Sequence, residues 1–137
     1  MALTVVDAGV LIGFLDRNDP HHRAAADALA ATLDRGDRMA VPSSALAEML
    51  VGPSRQGPHS VAAVLHLIER VPFEIAPLDE DVAVAAAALR AKHRAIKLPD
   101  ALVLATATVI EADVLLTTDR AWPTARRLAI DFSIQIM

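Results

Sequence analysis

The stretch that most limits what this chain can become is Leu98-Pro99-Asp100-Ala101-Leu102-Val103-Leu104-Ala105-Thr106-Ala107-Thr108-Val109-Ile110. Pro99 suits the first turn of a helix, where its missing N–H costs nothing. From Ala101 to Ile110 there is neither charge nor glycine. A helix apolar nearly all round belongs in the middle of a fold. Its first turn nevertheless holds Asp100, the only charged residue between Lys97 and Glu111. A carboxylate drawn into such a setting must be protonated, paired or bound to a cation, because burying an unpaired charge is prohibitive.

Around this helix the chain alternates short β-prone runs with helical patterns. Leu3–Val6 reads as a strand with Asp7 at its C-terminal end, followed by a helix through Val10–Leu15 entered at Gly9. Asp19 is expected to cap a helix with Pro20 at its first position; that helix runs to about Asp34, with Ala24, Ala28 and Leu29 inward and Gly36 as its stop. Met39–Val41 is a second strand. Ser43 or Ser44 is expected to cap a helix to about Val51, and Gly52–Pro58 is the most loop-like segment of the chain. His59–Arg70 follows as a helix with Val61, Val64, Leu65 and Ile68 at helical spacing. Phe73–Ala76 is a third strand, Asp79 to about His93 an Ala/Val-rich helix with acidic residues at its favourable end, and Val114–Leu116 a fourth strand. Phe132–Ile136 alternates like an edge strand. This pattern predicts one α/β domain, with a mainly parallel central sheet of four to five short strands flanked by helices. Ligands in such sheets bind beyond the C-terminal ends of the strands, where Asp7 and Asp119 fall.

Composition narrows the chemistry. The 137 residues suffice for one core but not two. No cysteine is present, which excludes disulfides, thiolate zinc sites and cysteine nucleophiles. No apolar run reaches the roughly 20 residues of a membrane span, and no targeting segment precedes the first strand, so a cytoplasmic, membrane-free domain is expected. Hydrophobic residues make up 54% of the chain, more than a small monomer readily buries, which points to a dimer or a tight partner.

The net charge is −4, so no bulk basic field marks the chain as a nucleic-acid binder. The location of that charge is more telling. Asp7, Glu48, Asp100 and Asp119 each lie in or at the end of an apolar run with few other charges. Setting these aside leaves thirteen acidic residues against thirteen Lys and Arg, so the whole imbalance can be assigned to this quartet. Hard oxygen donors suit Mg²⁺ or Mn²⁺, and two such ions clamp the attacking and leaving oxygens of a phosphodiester. Taken singly, Asp100 and Asp119 also suit a helix cap or first turn, Asp7 a turn, and Glu48 the wet face of an amphipathic helix. An acidic pocket that binds a basic partner peptide without turnover is a non-enzymatic alternative. Phosphoaspartyl enzymes fit less well. The phosphatase pattern wants a second Asp where Gly9 stands, and a receiver domain wants an acidic pair near the first strand and a late lysine, neither of which is evident.

Four motifs, in order, are Val5-Val6-Asp7-Ala8-Gly9-Val10-Leu11-Ile12, Ser44-Ala45-Leu46-Ala47-Glu48, the Leu98–Ala107 stretch, and Leu115-Leu116-Thr117-Thr118-Asp119. Together they resemble the PIN-domain nucleases, and within them the VapC-type toxins of type II toxin–antitoxin pairs. The resemblance spans essentially the whole chain. It implies an endoribonuclease dependent on Mg²⁺ or Mn²⁺, with one or two ions per site, restrained by a cognate antitoxin and commonly a homodimer. It carries the metal-ligand role onto Asp7, Glu48, Asp100 and Asp119, and a supporting hydroxyl onto Thr117. Two positions depart from the pattern. Ala8 and Gly9 stand where many relatives have Ser, Thr or Asn, and Ala121 and Trp122 stand where many have a further acid. Lys97 and Arg120, with Arg94, Arg126 and Arg127, are the cations placed to meet an RNA backbone, and Trp122 is placed to stack on a base.

Overall fold

Strand β1 (Leu3–Val6) is buried along its whole length, Thr4 included, as a β-prone run in the middle of a parallel sheet should be. The computed structural model, which describes residues 1–137, sets β1 between β2 (Arg38–Pro42) and β4 (Val114–Thr117). The outer strands are β3 (Phe73–Ala76) and β5 (Ser133–Ile136), giving the order β3-β2-β1-β4-β5. All four pairings are parallel. Register runs Val5 to Ala40 on one side of β1 and Val5 to Leu115 on the other. The alternating Ser133-Ile134-Gln135-Ile136 is an edge, as its pattern predicts. On the opposite edge Arg38 of β2 grips Glu74 of β3 through two hydrogen bonds of 2.8 and 2.7 Å.

Seven helices flank the sheet: α1 (Ala8–Leu15), α2 (His22–Asp34), α3 (Ser43–Gln56), α4 (Pro58–Arg70), α5 (Glu80–Lys92), α6 (Leu98–Val109) and the short α7 (Ala125–Leu128). The apolar stretch at Leu98 is α6. It buries Ala101, Val103, Leu104, Ala105, Thr106 and Ala107 and packs along α5, whose Val82 and Ala86 are buried. Two threonines fit inside it because their hydroxyls donate back to the carbonyls of Leu102 and Leu104, at 2.7 and 3.0 Å. No helix is long and apolar enough to cross a membrane.

Several local expectations are corrected. The Gly52–Pro58 segment is not a loop: α3 continues through Gly52 and Pro53 to Gln56. Glycine before proline lacks the Cβ that would collide with the proline ring in a helix, so the pair is tolerated. The break falls on Gly57 alone, at φ 125° and ψ 176°, and Pro58 opens α4 directly. Neither Ser43 nor Ser44 caps α3; the Ser43 hydroxyl instead accepts from the Leu78 N–H across the strand ends. Asp19 does not cap a helix begun at Pro20. It accepts from the His21 N–H in a turn, and α2 starts at His22. Ala25, not Ala24, faces the core with Leu29.

Candidate active site

The direction of the chain reverses at β1. From β1 it progresses outward through β2 and β3, then returns to lay β4 and β5 on the other side. The C-terminal ends of β1 and β4 therefore flank the switch point of the sheet, where side chains from two neighbouring strands meet over a crevice. Asp7 follows β1 and Asp119 follows β4 by two residues.

Asp7 is pinned at both carboxylate oxygens. Oδ1 accepts from the Ala8 N–H at 2.8 Å, so the residue caps α1. Oδ2 accepts from the Thr117 hydroxyl at 2.8 Å. The Asp7 N–H meanwhile donates to the Leu116 carbonyl at 3.0 Å, which extends the β1–β4 ladder to the site. Thr117 is fully buried. Its hydroxyl also accepts from the Asp119 N–H at 3.0 Å, so one oxygen ties the end of β1 to the loop that holds Asp119. Asp119 in turn accepts from the Ala121 N–H at 2.8 Å, which shapes the turn toward Trp122.

Burial pushes the Asp7 carboxyl up from 3.8 to about 6; its two hydrogen bonds oppose the rise, and the charges of Asp100 and Glu48 add to it. Asp100, half-buried in the first turn of α6, is also raised, first by burial and then by the charge of Asp119. The indole N–H of Trp122 faces Asp100 and favours its ionised form, although the pair lies outside strict hydrogen-bond geometry. Lys97 acts in the same sense. The four carboxylates are thus linked pairwise, Glu48 to Asp7, Asp7 to Asp100 and Asp100 to Asp119. Glu48 is exposed on α3, beside Pro99 and Leu102 of α6.

None of the four forms an ion pair; the three in the chain are His21–Asp19, Arg35–Asp37 and Arg38–Glu74. As the side chains stand, no three carboxylates or imidazoles are close enough to hold one metal ion. The donor set still suits a hard cation. Mg²⁺ keeps several waters and takes only one or two protein carboxylates directly, and the acids here are all-oxygen, mutually repulsive and in no ion pair.

The remaining sequence candidates are distributed around this centre. Lys97 precedes α6 and is exposed. Arg120 turns to the chain end, donating to the Met137 carbonyl at 3.4 Å. Arg94 and Arg127 share a second cavity with Trp122, and Arg126 lies in α7. Two features escaped the sequence. A Cβ built on Gly9 would overlap the Thr118 hydroxyl, so the residue just past β4 supplies a hydroxyl in the space left by the missing side chain. The approach of Trp122 to Asp100 depends on the path of the β4–α7 loop; its only sequence signal is that Trp122 stands three residues beyond Asp119.

Known proteins give the arrangement its context. The structure is similar to a toxin–antitoxin complex from Klebsiella pneumoniae, at 28% identity over 85% of this chain and 86% of that one, with a TM-score of 0.68. It shares its fold with VapBC2 of Rickettsia felis, bound to a DNA fragment from its promoter, at 16% identity, 98% coverage of both chains and a TM-score of 0.72. It also shares it with VapC20 of Mycobacterium tuberculosis, a toxin that cleaves the sarcin–ricin loop, at 16% identity over 82% of this chain and 86% of that one, with a TM-score of 0.68. No curated protein matches the chain in sequence. The profile of the PIN domain matches residues 4–128, a span that runs from β1 through α7 and contains every carboxylate of the crevice, and the chain belongs to the PIN domain family.

Proposed function

We propose that this protein is a ribonuclease toxin of the VapC type, dependent on Mg²⁺ or Mn²⁺ and restrained by a cognate antitoxin. The observation that carries this reading is Asp7: a buried carboxylate with no cation beside it, crowded by two further acids, at the switch point of a parallel sheet. Asp7, Asp100 and Asp119 would hold one or two ions, with Glu48 directly or through water. A divalent cation bound there would supply Lewis-acid stabilisation of the charge developing on the phosphoryl oxygens and would acidify water. Thr117 fixes the Asp7 carboxylate and keeps the Asp119 loop in register with it. Lys97, next to Asp100, offsets the repulsion that the acids present to a phosphate backbone.

The antitoxin and the RNA substrate rest on the likeness to toxin–antitoxin proteins. Exposed apolar side chains on α4 and α5, among them Leu67 and Val84, support a homodimer or a tightly bound partner, and light scattering on the isolated chain separates the two. The reading places the protein in the cytoplasm, with RNA as its target. Its test is cleavage of structured RNA, beginning with a sarcin–ricin-type hairpin, by the native chain and by Asp7→Asn and Asp100→Asn. Cleavage with Mg²⁺ or Mn²⁺ that stops in chelator and falls at least a hundredfold in both variants is expected. Full activity in chelator, or undiminished cleavage by either variant, overturns it.

A further inference from the structure

Beside the acidic crevice, on the far side of Trp122, lies a cavity of opposite character. It measures about 740 Å³ and is lined by the end of α5, the segment leading to α6 and the β4–α7 loop. Lys92, His93, Arg94, Trp122, Thr124 and Arg127 contribute to its wall, and no acidic residue does. None of the three cationic side chains is engaged in an ion pair. The Arg94 carbonyl accepts from Arg90 at 3.3 Å, which holds that loop in place and leaves the Arg94 side chain free. The Nε2 atom of His93 is buried without a hydrogen-bond partner. In a chain whose net charge is −4, three uncompensated cations around one hollow are a local reversal of field.

We propose that this cavity seats one nucleotide of the RNA, its phosphate on Lys92, Arg94 and Arg127, beside the phosphodiester at which the carboxylates act. The inference rests on the ribonuclease reading for its choice of polymer. Two observations favour a nucleotide over a lone anion. The volume lies within the range of about 300–1,000 Å³ that small-molecule sites occupy, and the wall includes Trp122, itself largely buried, and His93 as well as charge. A guanidinium pair also matches phosphate geometry better than ammonium groups do. Trp122 belongs to both hollows, since it lines this one and faces Asp100 in the other. A polyanion repelled by four carboxylates thus has an attractive foothold next door.

Trp122 is the only tryptophan in the chain, so its fluorescence reports occupancy directly. The experiment titrates the full chain, in chelator so that nothing is cut, with a short oligoribonucleotide, inorganic phosphate and an acidic peptide. The expected result is a saturable change with the oligonucleotide that weakens as salt rises. Affinity should fall about tenfold in an Arg94→Ala/Arg127→Ala variant, with partial recovery in the double Lys variant. In the metal-supplemented cleavage assay the Ala variant should raise KM with kcat held within about threefold. Phosphate binding as tightly as the oligonucleotide, a response to the acidic peptide alone, no response at all, or an unchanged KM would each overturn the proposal. Because the titration needs no turnover, oligonucleotide binding without cleavage would remove the ribonuclease reading and leave the nucleotide site standing. Cleavage lost in Asp7→Asn with the fluorescence response intact supports both.

Discussion

Thr117 does two jobs with one hydroxyl. It donates to Asp7 Oδ2 and accepts from the Asp119 N–H, and it is entirely buried. Thr117→Val keeps the shape and removes both bonds. It should cost about 1–3 kcal/mol, because a buried carboxylate oxygen and a backbone N–H lose their partners together. The Asp7 carboxyl, already raised to about 6, should move higher still once the donor that lowers it is gone. Thr117→Ser restores both bonds and should recover most of the loss. Denaturant unfolding of the two variants, with the Asp7 titration followed by carboxyl NMR, checks the pair. The role of this residue was legible only as a motif position: the sequence offered a threonine two places before an aspartate, and nothing in it shows that the hydroxyl reaches across 110 positions to Asp7.

At the scale of the element, most of the architecture followed from pattern. The β-prone runs at Leu3–Val6 and Val114–Leu116 became neighbouring interior strands, and the uncharged stretch after Asp100 became the helix with the most buried residues. The failures were at punctuation. Glycine and proline at positions 52 and 53 read as a stop, yet the helix absorbs them, because a pre-proline clash needs a Cβ that glycine does not have. Capping by Ser43 was unreadable for a different reason: its hydroxyl is taken by Leu78, a partner 35 residues away. The true boundary depends on Gly57, whose φ of 125° is closed to L side chains at little cost. Gly57→Ala should therefore lose about 1–3 kcal/mol. An equal denaturation midpoint for that variant would show that the α3–α4 corner rearranges freely.

Over the whole molecule, the acidic crevice makes stability and metal binding depend on pH in opposite directions. The Asp7 carboxyl titrates at about 6 in the fold against an ordinary value of 3.8. Between these values the folded chain keeps a proton that the unfolded chain has lost. The contribution of Asp7 is therefore fully present below pH 4 and is lost as pH rises through 6, a change of roughly 3 kcal/mol at about 1.4 kcal/mol per unit. Metal-free Asp7→Asn protein should accordingly melt higher than the native chain at pH 7.5 and show no such advantage near pH 4. A cation, by contrast, needs the ionised carboxylate, so its affinity should weaken below pH 6 by up to tenfold per unit. Calorimetry with Mn²⁺ at pH 5 and pH 7.5 measures that second slope. The grouping of the four acids was visible as an excess of isolated charges; their pairwise order around the switch point was not, since it depends on which strand returns beside β1.

The last strand gives this centre an unexpected dependency. Met137 donates its N–H to the Thr117 carbonyl at 2.9 Å, and its own carbonyl receives Arg120. The outermost pairing of the sheet thus terminates on the residue that braces the first and last of the four acids. Trimming Ile136 and Met137, which removes no acid and no fully buried side chain, should loosen the Thr117–Asp119 turn and be felt far upstream in the chain, where the chemistry sits.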